Sequence, residues 1–380
     1  MRELISADVH SNLREARSIR EEIPMKFIHI ADVHLGATPD SNMPWGEQRA
    51  REIWSNLEYI INVCNEEEVD LLLIAGDLFH RQPLVRELKE LNYLFKKLQT
   101  TQVVIMAGNH DYISARSNYQ GFAWDNRVHM FLNSAIEIIE FPELNTQVYG
   151  FSYLQRDITE SLYDDIKPQD NEKIHILLAH GGDEKNIPIN RSKLKQTGFD
   201  YIALGHIHKP EIISDRIAYS GSLEPLDKNE IGDRGYIFGE ITIKDNGERH
   251  TCIRFVPSAH RRYIRLTLTV DINTTNGSLQ DQVREAIKSN GEQNVYLFYV
   301  EGIRDETIHF DKEALKSLGN ILEIVDQSVP DYDFDAIYRD NSDNLIGLFV
   351  QKVRENAEHD EVAKKALYYG IEALLGARDH

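Results

Sequence analysis

Five apolar runs in this chain each end in a small residue next to Asp, Asn or His. FIHIA runs into Asp32-Val33-His34, and DLLLIA into Gly76-Asp77. VVIMA runs into Gly108-Asn109-His110-Asp111, HILLA into His180-Gly181, and DYIAL into Gly205-His206-Ile207-His208. Near-continuous apolar runs bounded by Gly and Asp are the pattern of strands buried on both faces. In open α/β sheets, ligands collect at the carboxyl ends of the strands, so residues far apart in sequence are expected to meet there.

The rest of the chain fits that frame. Between Met25 and about Phe255, strands at Phe27–Ala31, Val69–Ile74, Gln102–Met106, Val148–Phe151, Ile174–Ala179 and Tyr201–Leu204 alternate with helical stretches. Glu47–Glu66 carries Ile53, Leu57, Ile60, Ile61 and Cys64 at helical spacing, and Leu84–Leu98 carries Leu84, Leu88, Leu91 and Leu98. After Ile212 the pattern turns all-β, with strands at Ile217–Ser220, Tyr236–Ile243 and Cys252–Val256. The expected fold is α/β: a layered sandwich of central β-sheets flanked by helices, with a small α/β capping domain and a helical C-terminal tail. Residues 1–24 read as a polar N-terminal extension, 25–258 as the main domain and 261–326 as the capping domain. Residues 327–340 read as an acidic linker and 341–380 as a tail with two apolar stripes.

Composition narrows the class. With 42 Lys+Arg against 62 Asp+Glu, the formal net charge is −20, which argues against coating nucleic acid by a general basic footprint. It leaves room for an enzyme that grips phosphates locally. The two cysteines, Cys64 and Cys252, make no disulfide framework. No apolar run approaches the ~18 residues of a membrane span, and the N-terminus lacks the apolar core of a signal peptide. The expected setting is cytoplasmic, with no membrane.

The strand-end residues offer carboxylate, amide and imidazole donors and no thiolate, a set suited to Mn²⁺, Fe²⁺ or Zn²⁺. Asp32, His34, Asp77, Asn109, His180, His206 and His208 make seven candidates. That exceeds the four ligands of a closed zinc site and suits two ions about 3.5–4 Å apart sharing one carboxylate. His110 is left beside them as a proton donor. Asp8-Val9-His10 repeats the DVH triplet but follows no buried strand, so it is expected to take no part.

DVHLG, GDLFH, GNHD, LLAHG, GHIH and YSGSLEP together resemble the calcineurin-like metallophosphoesterases. Within that superfamily, HIADVHLG, GDLFHRQ, YSGSLEP and the C-terminal additions resemble the SbcD and YhaO type of DNA repair exonuclease. The resemblance is strong over Met25–Val256 and one of layout beyond. It implies one metal on Asp32, His34, Asp77 and His208, and another on Asp77, Asn109, His180 and His206. It also implies His110 as the acid for the leaving oxygen, and Asp111 is expected to orient the His110 ring. The implied cofactor is two divalent ions, Mn²⁺ foremost, with Mg²⁺, Fe²⁺ and Zn²⁺ as alternatives. The implied partners are DNA, a coiled-coil, SMC-like ABC-type ATPase, and a second copy of the chain within that hetero-complex. His80 stands where Asp is common in the family, and Ser220 where Pro is common; both are expected near the cleft.

Other features divide between function and packing. Arg81, Arg86, Arg116, Lys185, Arg191 and Lys193 fall after catalytic strands, where they are either phosphate contacts or solvated charge. Tyr112 and Tyr119 are placed either to stack on an unpaired base or to pack. Trp45 and Trp54 read as packing residues. The tail stripes, Leu345–Val353 and Val362–Leu374, fit either their own domain or a partner's groove. The competing functions are a two-metal DNA nuclease, a phosphodiesterase or phosphatase on a small nucleotide-like ester, and a scaffold with a decayed site. The extra domain favours the first.

Overall fold

The structure is a computed structural model that describes residues 24–170, 172–357 and 360–378. The expected extension at 1–24, including Asp8 and His10, lies outside the described residues apart from Pro24. The chain divides into two compact units at Arg262/Tyr263.

The first unit begins with β1 (Met25–Ile30), α1 (Gly46–Glu66), β2 (Leu71–Ala75), α2 (Val85–Phe95), β3 (Gln102–Met106) and β4 (Val128–Met130). It continues with β5 (Glu137–Phe141), β6 (Thr146–Gly150), β7 (Ile174–His180), α3 (Arg191–Leu194) and β8 (Tyr201–Gly205). It closes with β9 (Glu211–Ser214), β10 (Ile217–Tyr219), β11 (Gly235–Ile243) and β12 (Arg249–Pro257). These strands form two six-stranded sheets, in the orders β12-β11-β1-β2-β3-β4 and β5-β6-β7-β8-β10-β9. Strands β1–β4 of one sheet and β6, β7, β8 and β10 of the other run parallel, with β4 a parallel edge of the first sheet. Antiparallel strands form the other edges: β11 and β12 beside β1, β5 beside β6, and β9 beside β10.

Strand pleating explains why the apolar runs are continuous. Phe27, Leu71, Leu73, Val104 and Met106 point inward and meet Ile176, Leu178, Tyr201 and Ala203 of the second sheet. Their neighbours Ile28, Leu72, Ile74, Val103 and Ile105 point outward onto Ile53, Leu57, Ile60 and Ile61 of α1 and Leu88 and Leu91 of α2. Each strand thus feeds two cores by its two-residue period. The outer face of the second sheet (Tyr149, Leu177, Ile202 and Leu204) is covered by Ile187, Leu194 and Phe199, from loops and the short α3.

The second unit holds β13 (Tyr263–Val270), α4 (Asn276–Asn290), β14 (Val295–Arg304), α5 (Lys312–Lys316), β15 (Ile321–Asp326) and β16 (Val329–Pro330). Three helices follow: α6 (Phe334–Asp340), α7 (Leu345–Ala357) and α8 (Glu361–Arg378). Parallel strands β13, β14 and β15 carry α4 through Leu279, Val283 and Ile287. The Thr275 side chain caps the start of α4 by accepting from Ser278 N. The stretch expected to be a linker is structured: β16 pairs with the end of β14, and α6 follows. Its Tyr332, Phe334 and Ile337 pack against Ile346, Val350, Leu367 and Ile371 of α7 and α8, so the two tail stripes face each other. Apolar residues are interspersed among the acidic ones in DYDFDAIY, and these are what fold it.

Candidate metal centre

The five strand-end motifs leave both sheets, β1, β2 and β3 from the first and β7 and β8 from the second, and come together at one edge of the sandwich. The β1 and β2 loops run side by side: Asp32 N donates to Gly76 O at 3.1 Å and His34 N to Asp77 O at 3.0 Å. Asp32, His34, Asp77 and His206 all have positive φ, at 50°, 52°, 49° and 91°. Non-glycine residues rarely adopt that conformation, and it concentrates at functional sites held by their surroundings. The glycines of the motifs admit the close approach. A Cβ on Gly108 would press on the Asp77 carboxylate and stand 2.7 Å from His180 Nε2.

Among the described residues, ligand-type atoms converge within 4.8 Å of one another in three groups: Asp32, His34 and His208; Asp77, His180 and His206; and His34, His80 and His110. Asp77 lies between the first two groups, with Oδ2 at 3.9 Å from His34 Nε2 and 3.4 Å from His180 Nε2. Asn109 Oδ1 joins the second group, 3.0 Å from His180 Nε2 and 3.1 Å from His206 Nδ1. The structure therefore brings together all seven residues proposed from sequence. Asp32, His34, Asp77 and His180 are essentially inaccessible.

The outer nitrogens of these imidazoles carry the strongest chemical signal. His180 Nδ1 is 2.8 Å from Ala75 O, His206 Nε2 2.8 Å from Asp183 Oδ2, and His208 Nδ1 2.6 Å from Glu230 Oε1. Each of these acceptors takes a hydrogen bond from the outer ring N–H, so that the neutral ring offers its inward nitrogen as a lone pair. This is the arrangement of metal-ligating histidines, whose other N–H goes to a carboxylate or carbonyl. His34 Nδ1 lies 3.3 Å from His80 Nδ1, so His80 plays a similar outer part for His34. Burial works against the Asp77 carboxylate, yet the facing imidazoles, His180 foremost, hold it well below the usual carboxylate range. Against its own burial, the His180 ring is pushed up to about 9 by Asp77. The donor set of carboxylates, imidazoles and one amide oxygen fits divalent cations of the Mn²⁺ to Zn²⁺ kind.

Asp111 departs from expectation. It is buried, and its carboxylate accepts from Gly108 N at 2.8 Å, Phe79 N at 3.2 Å and Tyr119 Oη at 2.7 Å. Burial, then the charge on Asp77, push its carboxyl up to about 6. It braces the GNHD turn against the GDLF turn. The His110 ring is held instead by the His80 carbonyl, 3.1 Å from Nδ1, and stacks on the His80 ring at 5.3 Å. Tyr119 is buried in the helix-side core and Tyr112 packs on the outer core of the second sheet. Stacking on a base is thus closed to Tyr119. Ser220 is buried and turned to Gly221 O.

Three of the six cations are in ion pairs: Arg81 with Glu87 at 2.7 Å, Arg191 with Glu211 at 2.7 Å, and Lys193 with Asp165 at 3.6 Å. Trp45 is buried with Nε1 donating to Asp40 Oδ2 at 2.9 Å, and Trp54 packs on the helix-side core. Sequence reasoning missed Asp183 and Glu230. Asp183 sits three residues after His180, in the same loop, and could have been suspected; Glu230 has no local signal.

Residues 25–210 match the calcineurin-like phosphoesterase family. That stretch lies within the first unit, and the family it matches is a class of metal-dependent phosphoester hydrolases. The chain is also similar to YhaO of Bacillus subtilis (strain 168), described as an uncharacterized metallophosphoesterase, at 29% identity over 242 residues. That match covers 58% of this chain and 58% of YhaO. Among the described residues, no helix is long and apolar enough to cross a membrane.

Proposed function

We propose that the protein is a two-metal phosphodiesterase that cleaves DNA. The observation that carries the catalytic part is Asp77, a buried carboxylate between two groups of donors whose outer ring nitrogens are already satisfied. Asp32, His34, Asp77 and His208 would hold one ion, and Asp77, Asn109, His180 and His206 the other. Divalent ions held there, Mn²⁺ by preference, would supply Lewis-acid polarisation of the phosphoryl oxygens and an activated water.

His110 supplies the proton. Its Nδ1–H donates to the His80 carbonyl, so the transferable proton sits on Nε2, and its backbone N–H donates to Asp77 Oδ1 at 2.8 Å. A protonated His110 gives the Nε2 proton to the departing sugar oxygen and leaves as neutral imidazole. His80, in ring contact with both His34 and His110, keeps that donor at the mouth of the site.

DNA as substrate is supported by the motifs shared with the nuclease branch and by the folded second unit that follows the hydrolase domain. An ATPase with long coiled coils, and a second copy of this chain, are the partners the same resemblance supports. The test is Mn²⁺-dependent digestion of labelled linear duplex and single strands beside a chromogenic phosphodiester. Cleavage of the chromogenic ester with both DNA substrates untouched would move the assignment to a small nucleotide-like ester.

A further inference from the structure

YSGSLEP is the one motif that the chemistry above does not use, and its loop is wrapped around His208. Gly221, at φ +74°, lies so close to the His208 carbonyl that a Cβ would stand 2.7 Å from it. Ser222 N donates to His208 O at 3.0 Å. Ser222 Oγ then donates to Glu230 Oε2 at 3.2 Å, and Leu226 N to the same oxygen at 3.0 Å. The other oxygen of Glu230 faces His208 Nδ1 at 2.6 Å. The loop is anchored at its far side by Glu224, fully buried, which accepts from Asn56 Nδ2 of α1 at 2.8 Å. A carboxylate only accepts, so it dictates that His208 carries its proton on Nδ1 and offers Nε2 inward.

We propose that Glu230, held by the Ser222–Leu226 loop, is a positioning residue that fixes His208 as an Nε2 ligand of one of the two metal ions. This rests on the two-metal reading above. His206 has a comparable partner in Asp183, but that carboxylate is half exposed, whereas Glu230 is locked by its loop. The role of YSGSLEP is thus to deliver a carboxylate to the back of a ligand.

The experiment titrates MnCl₂ calorimetrically into the metal-free full chain and into its Glu230→Ala, Glu230→Gln, His208→Ala and Glu230→Ala/His208→Ala variants. Melting of each metal-free protein is measured alongside. Glu230→Ala should weaken one of two Mn²⁺ sites about 10–100-fold, the usual effect of removing an outer-shell partner, and spare the other. Glu230→Gln, which keeps the side chain's size and one acceptor oxygen for either His208 or the loop, should fall between it and wild type. The double variant should bind no more weakly than His208→Ala alone, because Glu230 acts through His208. Unchanged Mn²⁺ binding by Glu230→Ala, or additive losses in the double variant, would overturn the positioning role alone. Equal weakening of both sites together with a large fall in metal-free melting would reduce Glu230 to a fold element and also overturn it. A wild-type protein that binds no Mn²⁺ would overturn the metal reading itself.

Discussion

His34 Nε2 and His208 Nε2 face each other at 3.1 Å. The other ring nitrogen of each is engaged, His34 Nδ1 with His80 and His208 Nδ1 with Glu230. Two lone pairs at that distance repel unless a proton or a cation stands near both. Divalent metal should therefore stabilise the fold. Treatment with a chelator should lower the melting temperature, and Mn²⁺ at a hundred times its dissociation constant should restore about 2.7 kcal/mol. Melting that ignores chelator and Mn²⁺ alike would contradict the site.

Asp77→Ala should lose both ions and all metal-dependent hydrolysis, because one carboxylate serves both groups. The variant retains the apolar strand β2 and should still fold. Metal content by elemental analysis and turnover of a chromogenic diester check this; wild-type turnover would end the two-ion assignment.

His110→Ala should behave differently. It keeps the ligands, so both ions remain, and it removes the proton donor, which is worth roughly 10²–10⁴-fold in rate. Loss of a metal from this variant would make His110 a ligand, and the group His34, His80 and His110 would then need reassignment.

The sequence exposed the candidate ligands and concealed their supports, for a physical reason. Asp32, Asp77, Asn109, His180 and His206 each end or follow a strand, and strand ends are visible as the place where an apolar run meets a small residue and then a polar one. Which sheet each strand joins is set by pairing across long separations, so the sequence, which placed the strand ends in one crevice, carried no sign of which sheet supplies each of them. Glu230 lies 22 residues from His208 in a loop with no periodicity, and only the loop's closure reveals it. Asp111 looked like a partner for its neighbour His110 because the two are adjacent in sequence. Adjacent side chains point apart, and the carboxylate turned into the core. Strand β5, with only its last residue buried, lacks a continuous apolar run and so gave no signal.

Buried His29 gives a pH dependence independent of the metal site. It lies between the sheets with Nδ1 2.8 Å from Tyr201 Oη, and burial lowers its pKa from 6.5 to about 3. A depressed pKa means the unfolded chain binds the extra proton first. The stability is present above pH 6.5 and is lost as pH falls towards 3. Between pH 7 and pH 5 this group alone should account for about 2 kcal/mol. His29→Leu should lose that share of the pH dependence in urea unfolding of the metal-free protein. An identical pH 7 to pH 5 difference in variant and wild type would show that His29 is protonated in the fold.

The C-terminal helices should prove to be part of the second unit. Ile346, Val350, Leu367 and Ile371 close on one another and on Tyr332, Phe334 and Ile337, and Arg304 on β14 bonds Glu372 on α8 at 3.2 Å. Gly370 permits the contact, since a Cβ there would run into the Phe349 ring. Removing residues from 341 onward should therefore strip a core and lower the stability of the second unit. Ile371→Ala, a buried large-to-small change, should cost roughly 2–5 kcal/mol there. The proposed metal ligands all precede Lys209, so hydrolysis of a simple diester should survive both changes. What remains free for a partner is the outer face, where Leu345, Leu348, Val362 and Tyr369 are more than half exposed. Leu348→Glu with Val362→Glu should leave melting unchanged and abolish co-purification with the proposed ATPase. A variant that melts early instead would show that this outer face is covered within the chain.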